Sequence, residues 1–166
     1  MTIASPALRP RTPLANTLAL LGFIALCHTA GALGVLVTSG DWYRELARPG
    51  WAPPGWLFGP VWLTLYTMMA VAAWRAWRAP PTVARRSALR WFAIQLALNA
   101  AWSPVFFGLR SITGGLAVIV ALLAAIVVTI VRMRALSSAA AWLLAPYLAW
   151  VGFATALNAA IWWLAL

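Results

Sequence analysis

Few side chains here can move a proton or hold a metal: Asp41, Glu45, His28 and Cys27 are the only acids, imidazole and thiol in 166 residues. Asp41 and Glu45 stand four apart, a spacing that could bring two carboxylates together as an acid/base pair. Arg44 and Arg48 alternate with them, so a solvated interfacial turn is the better reading. On a helix Cys27 would point about 100° away from His28, so the two make no metal site. His28 reads instead as a hydrogen-bonding residue between helices. No nucleophile, acid and base converge, no glycine-rich phosphate loop occurs, and no carboxylate lies inside an apolar run to relay protons or bind a cation. Ion-coupled transport is therefore disfavoured. What remains are aromatic and amide groups, the aromatics most concentrated in the stretch DWYRELARPGWAPPGWLFGPVWLTLY from Asp41 to Tyr66. There Trp42, Trp51, Trp56 and Trp62 stand beside Pro49, Pro53, Pro54 and Pro60. A Trp ring offers a large flat apolar face and one N–H donor, which suits either a membrane interface or the wall of a pocket for a planar ligand.

The elements that must position these residues are membrane helices. A chain with 64% hydrophobic residues, 12 basic and 2 acidic side chains, and a mean hydropathy of +0.88 cannot form a water-soluble globule. A span needs about 20 apolar residues, and five runs qualify: 14–38, 54–74, 91–109, 114–131 and 139–166. The expected fold is all-α and integral to the membrane, with residues 1–13 as an N-terminal tail and 14–166 as a single domain. Pro54 suits a first helical turn, Pro104 should kink the third span or loosen its last turns, and Pro146 falls near the start of the fifth. Arg9 and Arg11 ahead of an apolar run resemble the start of a signal peptide. That run is longer than an h-region of about 7 to 15 residues, so an uncleaved first span is expected.

Arginine placement predicts the orientation. The tail (Arg9, Arg11), the second loop (Arg75, Arg78, Arg85, Arg86, Arg90) and the fourth (Arg132, Arg134) hold nine arginines, against three on the other side at Arg44, Arg48 and Arg110. The positive-inside rule puts the N-terminus in the cytoplasm and the C-terminus opposite. The net charge of +10 is thereby explained by helix ends near anionic headgroups, with no nucleic-acid patch. The lone Cys27 excludes an intrachain disulfide.

Within the helices, polar and aromatic residues form stripes. Gln95, Asn99, Trp102 and Phe106 recur at i, i+4, i+7 and i+11, a single face that should point inward. Trp62 and Tyr66 stand one turn apart on the second span, as do Trp150, Ala154 and Asn158 on the fifth. Helix packing by bridging amides accounts for such a stripe, and so does a ligand cavity. Trp62, Trp102 and Trp150 lie too deep in their spans for an interfacial belt, whereas Trp74, Trp77, Trp91, Trp162 and Trp163 sit at helix ends where a belt suffices. Ala30 and Gly34 offer one small-xxx-small face for a dimer or for ordinary packing.

Four blocks in order, WYRELARPGWAPPGW, PVWLTLY, QLALNAAWSPVFFG and PYLAWVGFATALN, resemble the tryptophan-rich TspO/MBR family, the relatives of translocator protein and the peripheral benzodiazepine receptor, over about residues 40 to 163. The resemblance implies a five-transmembrane-helix bundle, commonly a homodimer in the lipid bilayer, whose structured first loop acts as a lid over a cavity. It implies protoporphyrin IX or haem as ligand rather than obligatory cofactor, with sterols and synthetic benzodiazepine-type compounds bound by some members. Matched to the motifs, the pocket residues are Ala32 and Val35 on the first span, Tyr43 and Trp51 in the lid, Phe58, Gly59 and Trp62 on the second span, Asn99 and Trp102 on the third, and Trp150, Ala154 and Leu157 on the fifth.

The function this implies is a membrane sensor or regulator of porphyrin metabolism and stress response. The alternatives are a light- and oxygen-dependent porphyrin degradation using Trp62 and Trp150, and transport of tetrapyrrole or sterol-like cargo. Ala159 and Trp163 stand where animal members carry the Tyr and Arg of their sterol motif, and Gly114 stands where they carry a pocket Trp.

Overall fold

The computed structural model describes residues 12–37 and 40–166, apart from the side chains at 33, 35, 36, 40 and 41. The expected tail, with Arg9 and Arg11, lies outside the described residues but for its last two positions. Helix α1 runs Pro13–Leu36, a short α2 covers Gly40–Glu45, and a 3₁₀ turn at Gly55–Leu57 leads into α3, Phe58–Arg78. After a four-residue turn come α4, Val83–Ser103, a π-helical turn at Pro104–Gly108, α5, Ile112–Arg134, α6, Ser138–Leu143, and α7, Ala145–Leu164. Among the described residues every regular element is helical. With no water in the hydrocarbon to receive backbone hydrogen bonds, a spanning chain must satisfy them within each segment.

Four segments are long and apolar enough to cross a membrane: Pro13–Ala32, Gly55–Arg78, Ile112–Arg134 and Ser138–Leu164. The chain is a multi-pass membrane protein. The expected third span falls on α4 and the π turn, ending one residue beyond it, but α4 begins two turns earlier, at Val83, and takes in Arg85, Arg86 and Arg90. With these arginines and the amides Gln95 and Asn99 along it, α4 is not among the four apolar segments. The expected second span likewise runs on to Arg78, which leaves only Ala79–Thr82 between α3 and α4. Arginine stems can lie along a helix while their heads reach water, so hydropathy marks the hydrocarbon boundary and not the helix end.

Each junction has a local cause. Thr82 caps α4, its hydroxyl oxygen accepting from the Arg85 N–H at 3.2 Å. Arg85 Nη1 donates to the Trp77 and Ala79 carbonyls at 3.2 and 3.1 Å, clasping the end of α3. Pro104 loosens the helix as expected: Leu109 N–H bonds back to the Pro104 carbonyl at 2.9 Å, the wider π spacing. Arg110 then takes a φ of 51°, and Ser111 caps α5 by accepting from Gly114 N–H at 3.0 Å. The fifth span is not one helix. It breaks at Leu144, two residues ahead of Pro146, into α6 and α7, since a proline at that point has no N–H to continue the ladder.

The core is built where α3, α4, α5 and α7 meet, from Leu65, Met69, Phe92, Leu96, Leu122, Ile126, Tyr147 and Val151 together with a run of alanines on α3. Small residues let the helices approach: Ala70, Ala72, Ala73 and Ala76 are fully buried. Helix α1 packs on α3 and α4. Gly34 faces Ser103, whose Oγ would lie 2.8 Å from an added Cβ. The Ala30–Gly34 face is thus engaged inside the bundle.

Candidate functional site

The inward stripe of α4 lies where its spacing puts it. Gln95, Asn99 and Phe106 are buried and Trp102 is half-buried against the core. The two amides join a directional chain: Tyr66 Oη donates to Asn99 Oδ1 at 2.7 Å, Asn99 Nδ2 to Tyr147 Oη at 3.2 Å, and Tyr147 Oη to Gln95 Oε1 at 2.9 Å. Three helices, α3, α4 and α7, are tied by these bonds. Helix packing, one of the two readings of the stripe, therefore applies to its lower half. Tyr147 was not foreseen in this role; its only sequence signal is a lone hydroxyl among apolar neighbours.

Above the amides the side chains are aromatic. Trp62 stacks on Tyr66 with centroids 5.2 Å apart and meets Tyr147 edge-on at 6.2 Å. Trp102 stacks on Phe106 at 5.0 Å, and Phe106 and Phe107 receive Tyr43 from the loop at 6.3 and 5.6 Å. Trp42 adds an edge contact to Phe106 at 5.5 Å. On the other side Trp150 meets Phe58 at 5.7 Å and Phe153 at 5.7 Å, and Phe153 meets Trp51 at 5.7 Å. The first loop therefore lies against both the π turn and α7, held by ring edges, and within the loop Arg48 lies over the Tyr43 ring at 5.1 Å. Such T-shaped pairs contribute about 0.5–1.5 kcal/mol each beyond their burial.

The expected pocket residues divide accordingly. Tyr43 and Trp102 share Phe106 and Phe107, Phe58 touches Trp150, and Trp62 and Asn99 both meet Tyr66. Ala154 packs against the core and Leu157 is buried. Trp51 is 51% exposed, while Ala32 and Gly59 are also exposed. The Val35 side chain lies outside the described residues. An open cleft of about 410 Å³ adjoins the loop, lined by Leu46, Arg48, Pro49, Ala52, Pro53, Pro54 and Gly55. It shares no residue with the expected pocket.

Two polar features mark the aromatic region as more than filler. The indole N–H groups of Trp102 and Trp150 are buried with no hydrogen-bond partner among the described residues, as are both amide atoms of Asn158 on α7. A buried donor without an acceptor costs about 1–3 kcal/mol. His28, by contrast, is accounted for: Thr67 Oγ1 gives its hydrogen to the Leu63 carbonyl at 3.0 Å, so His28 Nε2 donates to Thr67 Oγ1 at 3.1 Å.

Fold and site together define a multi-pass helical membrane protein whose loop end is built of aromatic rings around unpaired indole donors. Within that class the chain belongs to the TspO/MBR family, whose model matches residues 23–164. It is 38% identical over 147 residues to Protein CrtK of Rhodobacter capsulatus, covering 88% of this chain and 91% of that protein. It is 36% identical to the Tryptophan-rich sensory protein of Cereibacter sphaeroides, with 83% and 85% covered. To the human Translocator protein it is 40% identical over 123 residues, 73% of each chain.

Proposed function

We propose that this chain is a membrane receptor for planar tetrapyrroles such as protoporphyrin IX or haem, acting as a sensor or regulator of porphyrin metabolism. In this reading five segments cross the bilayer: α1, α3, α4 with its π turn, α5, and α6 continued by α7. The N-terminus is cytoplasmic, residues 40–57 form a lid, and the protein works as a homodimer. The observation that carries the reading is the pair of buried, unpartnered indole N–H groups on Trp102 and Trp150. A flat macrocycle bearing oxygen or nitrogen acceptors at its edge would satisfy those donors while its faces replace ring–ring contacts.

Lid motion is compatible with the contacts. The loop meets the helices through aromatic edges at Trp51–Phe153 and Tyr43–Phe107, and a ligand's π-face can take the place of either. Pro49, Pro53 and Pro54 restrict the loop's alternatives, so holding it closed costs little chain entropy. The names of the relatives, a sensory protein and a translocator, agree with a membrane sensor or transporter. The test is titration of the purified protein with protoporphyrin IX. Tryptophan fluorescence should be quenched at micromolar ligand, and Trp150→Phe, which deletes the donor, should weaken binding about tenfold. Absence of quenching overturns the proposal. A new absorbing product on illumination, lost in Trp62→Phe, would instead establish degradation.

A further inference from the structure

At the end remote from the aromatic loop, a cleft of about 280 Å³ is lined by Arg75, Arg78, Ala79 and Pro80 from the end of α3 and by Leu136 and Ser137 between α5 and α6. Arg132 and Arg134 occupy the last turn of α5, just ahead of Leu136 in the chain. From these residues we propose that the cleft binds the phosphate of an anionic phospholipid headgroup.

Charge is the first argument. The only carboxylate side chains of the chain are Asp41 and Glu45, both in α2 at the loop end. The C-terminus is also remote, since Trp162 on α7 donates to Thr113 at the start of α5, 3.0 Å away. Arg75, Arg78, Arg132 and Arg134 therefore have no side-chain anion of their own chain at this end, and counter-charge must come from outside.

The local geometry favours a phosphate over a diffuse ion cloud. Carbonyl groups at a helix C-terminus ordinarily repel an anion, but here Arg85 covers two of them, at Trp77 and Ala79. Arg78 lies over the Trp74 ring at 4.7 Å, and Trp74 is itself fixed by its N–H donating to the Asn16 carbonyl at 3.0 Å. That stacking holds the guanidinium while leaving its planar fork of donors available to two phosphate oxygens. Ser137 accepts from Ala140 N–H at 3.3 Å, which leaves its hydroxyl hydrogen as a further donor.

Position and lining select a lipid. The arginines end membrane-crossing segments, where headgroup phosphates lie, and Pro80 and Leu136 give apolar wall for the glycerol end of an acyl chain. A choline or ethanolamine headgroup would bring an ammonium into a cluster of arginines that holds no carboxylate to receive it. Phosphatidylglycerol-type anions carry no such cation.

Native mass spectrometry of the full chain, titrated with dioleoyl phosphatidylglycerol, dioleoyl phosphatidylcholine or inorganic phosphate, tests this. Phosphatidylglycerol should bind at least about tenfold more tightly than phosphatidylcholine. Arg75→Gln with Arg78→Gln should weaken it by about tenfold or more, whereas Arg86→Gln with Arg90→Gln, removing equal charge from exposed positions of α4, should change it less than about twofold. Circular dichroism of both variants establishes that they fold. Equal losses in the two variants would mean a general basic surface and overturn the site. Equal binding of both lipids, or full displacement by micromolar inorganic phosphate, would overturn the lipid assignment.

Discussion

Gly31 lies under the Tyr66 ring, and an added Cβ there would collide with it. Gly31→Ala must therefore displace a ring that is stacked on Trp62 and bonded to Asn99. It should destabilise by about 1–3 kcal/mol and shift tryptophan emission, read by thermal unfolding in detergent. Gly22 on the same helix has nothing within 4 Å of an added Cβ, so Gly22→Ala should be neutral or gain up to about 1 kcal/mol. The buried amide chain offers a sharper measurement. Tyr66→Phe and Asn99→Ala each break the Tyr66–Asn99 bond, and a double-mutant cycle should return a coupling of about 0.6–1.7 kcal/mol. A value near zero would mean that the bond adds nothing to packing. Gln95 and Asn99 were legible in the sequence because a four-residue spacing fixes their face. Tyr147 was not, because its partners lie 48 and 52 positions away and only the packing of α7 on the bundle brings them within reach.

Among the elements, the connection from α4 to α5 stores the clearest backbone strain. Arg110 sits in the left-handed region with φ 51°, where a side chain costs about 1–2 kcal/mol relative to glycine. Arg110→Gly should accordingly raise the apparent unfolding midpoint, and a fall would mean that the guanidinium makes a contact worth more than the strain. Pro104 announced the loosening that precedes this residue, whereas the caps at Thr82 and Ser111 are known only from the structure. The extension of α3 and α4 through five arginines was hidden, because hydropathy registers the charged heads and not the stems along the helix. The break at Leu144 was only half legible: Pro146 stands in the sequence near the start of the fifth run, but the apolar run is continuous on both sides of it, so hydropathy gives no sign that the helix divides there.

For the whole molecule, charge separation between the two ends sets the expected topology. Alkaline phosphatase fused after Leu166 should be active in a bacterial host and a fluorescent protein at the same point should be dark; the reverse pattern would invert the proposed orientation. Four of the five expected apolar runs, the third excepted, reappear as membrane-length helical segments and were readable because each is bounded by arginine or by Gly and Pro, whereas the way α1 closes on α3 and α4 through Gly31 and Gly34 depends on contacts no run reveals. One junction also bears on how the chain is made. The Arg85 clasp joins residues six and eight positions apart, so it can close as soon as the first turn of α4 leaves the ribosome. Closed that early, the clasp would fix the turn between α3 and α4 before the later helices pack against them.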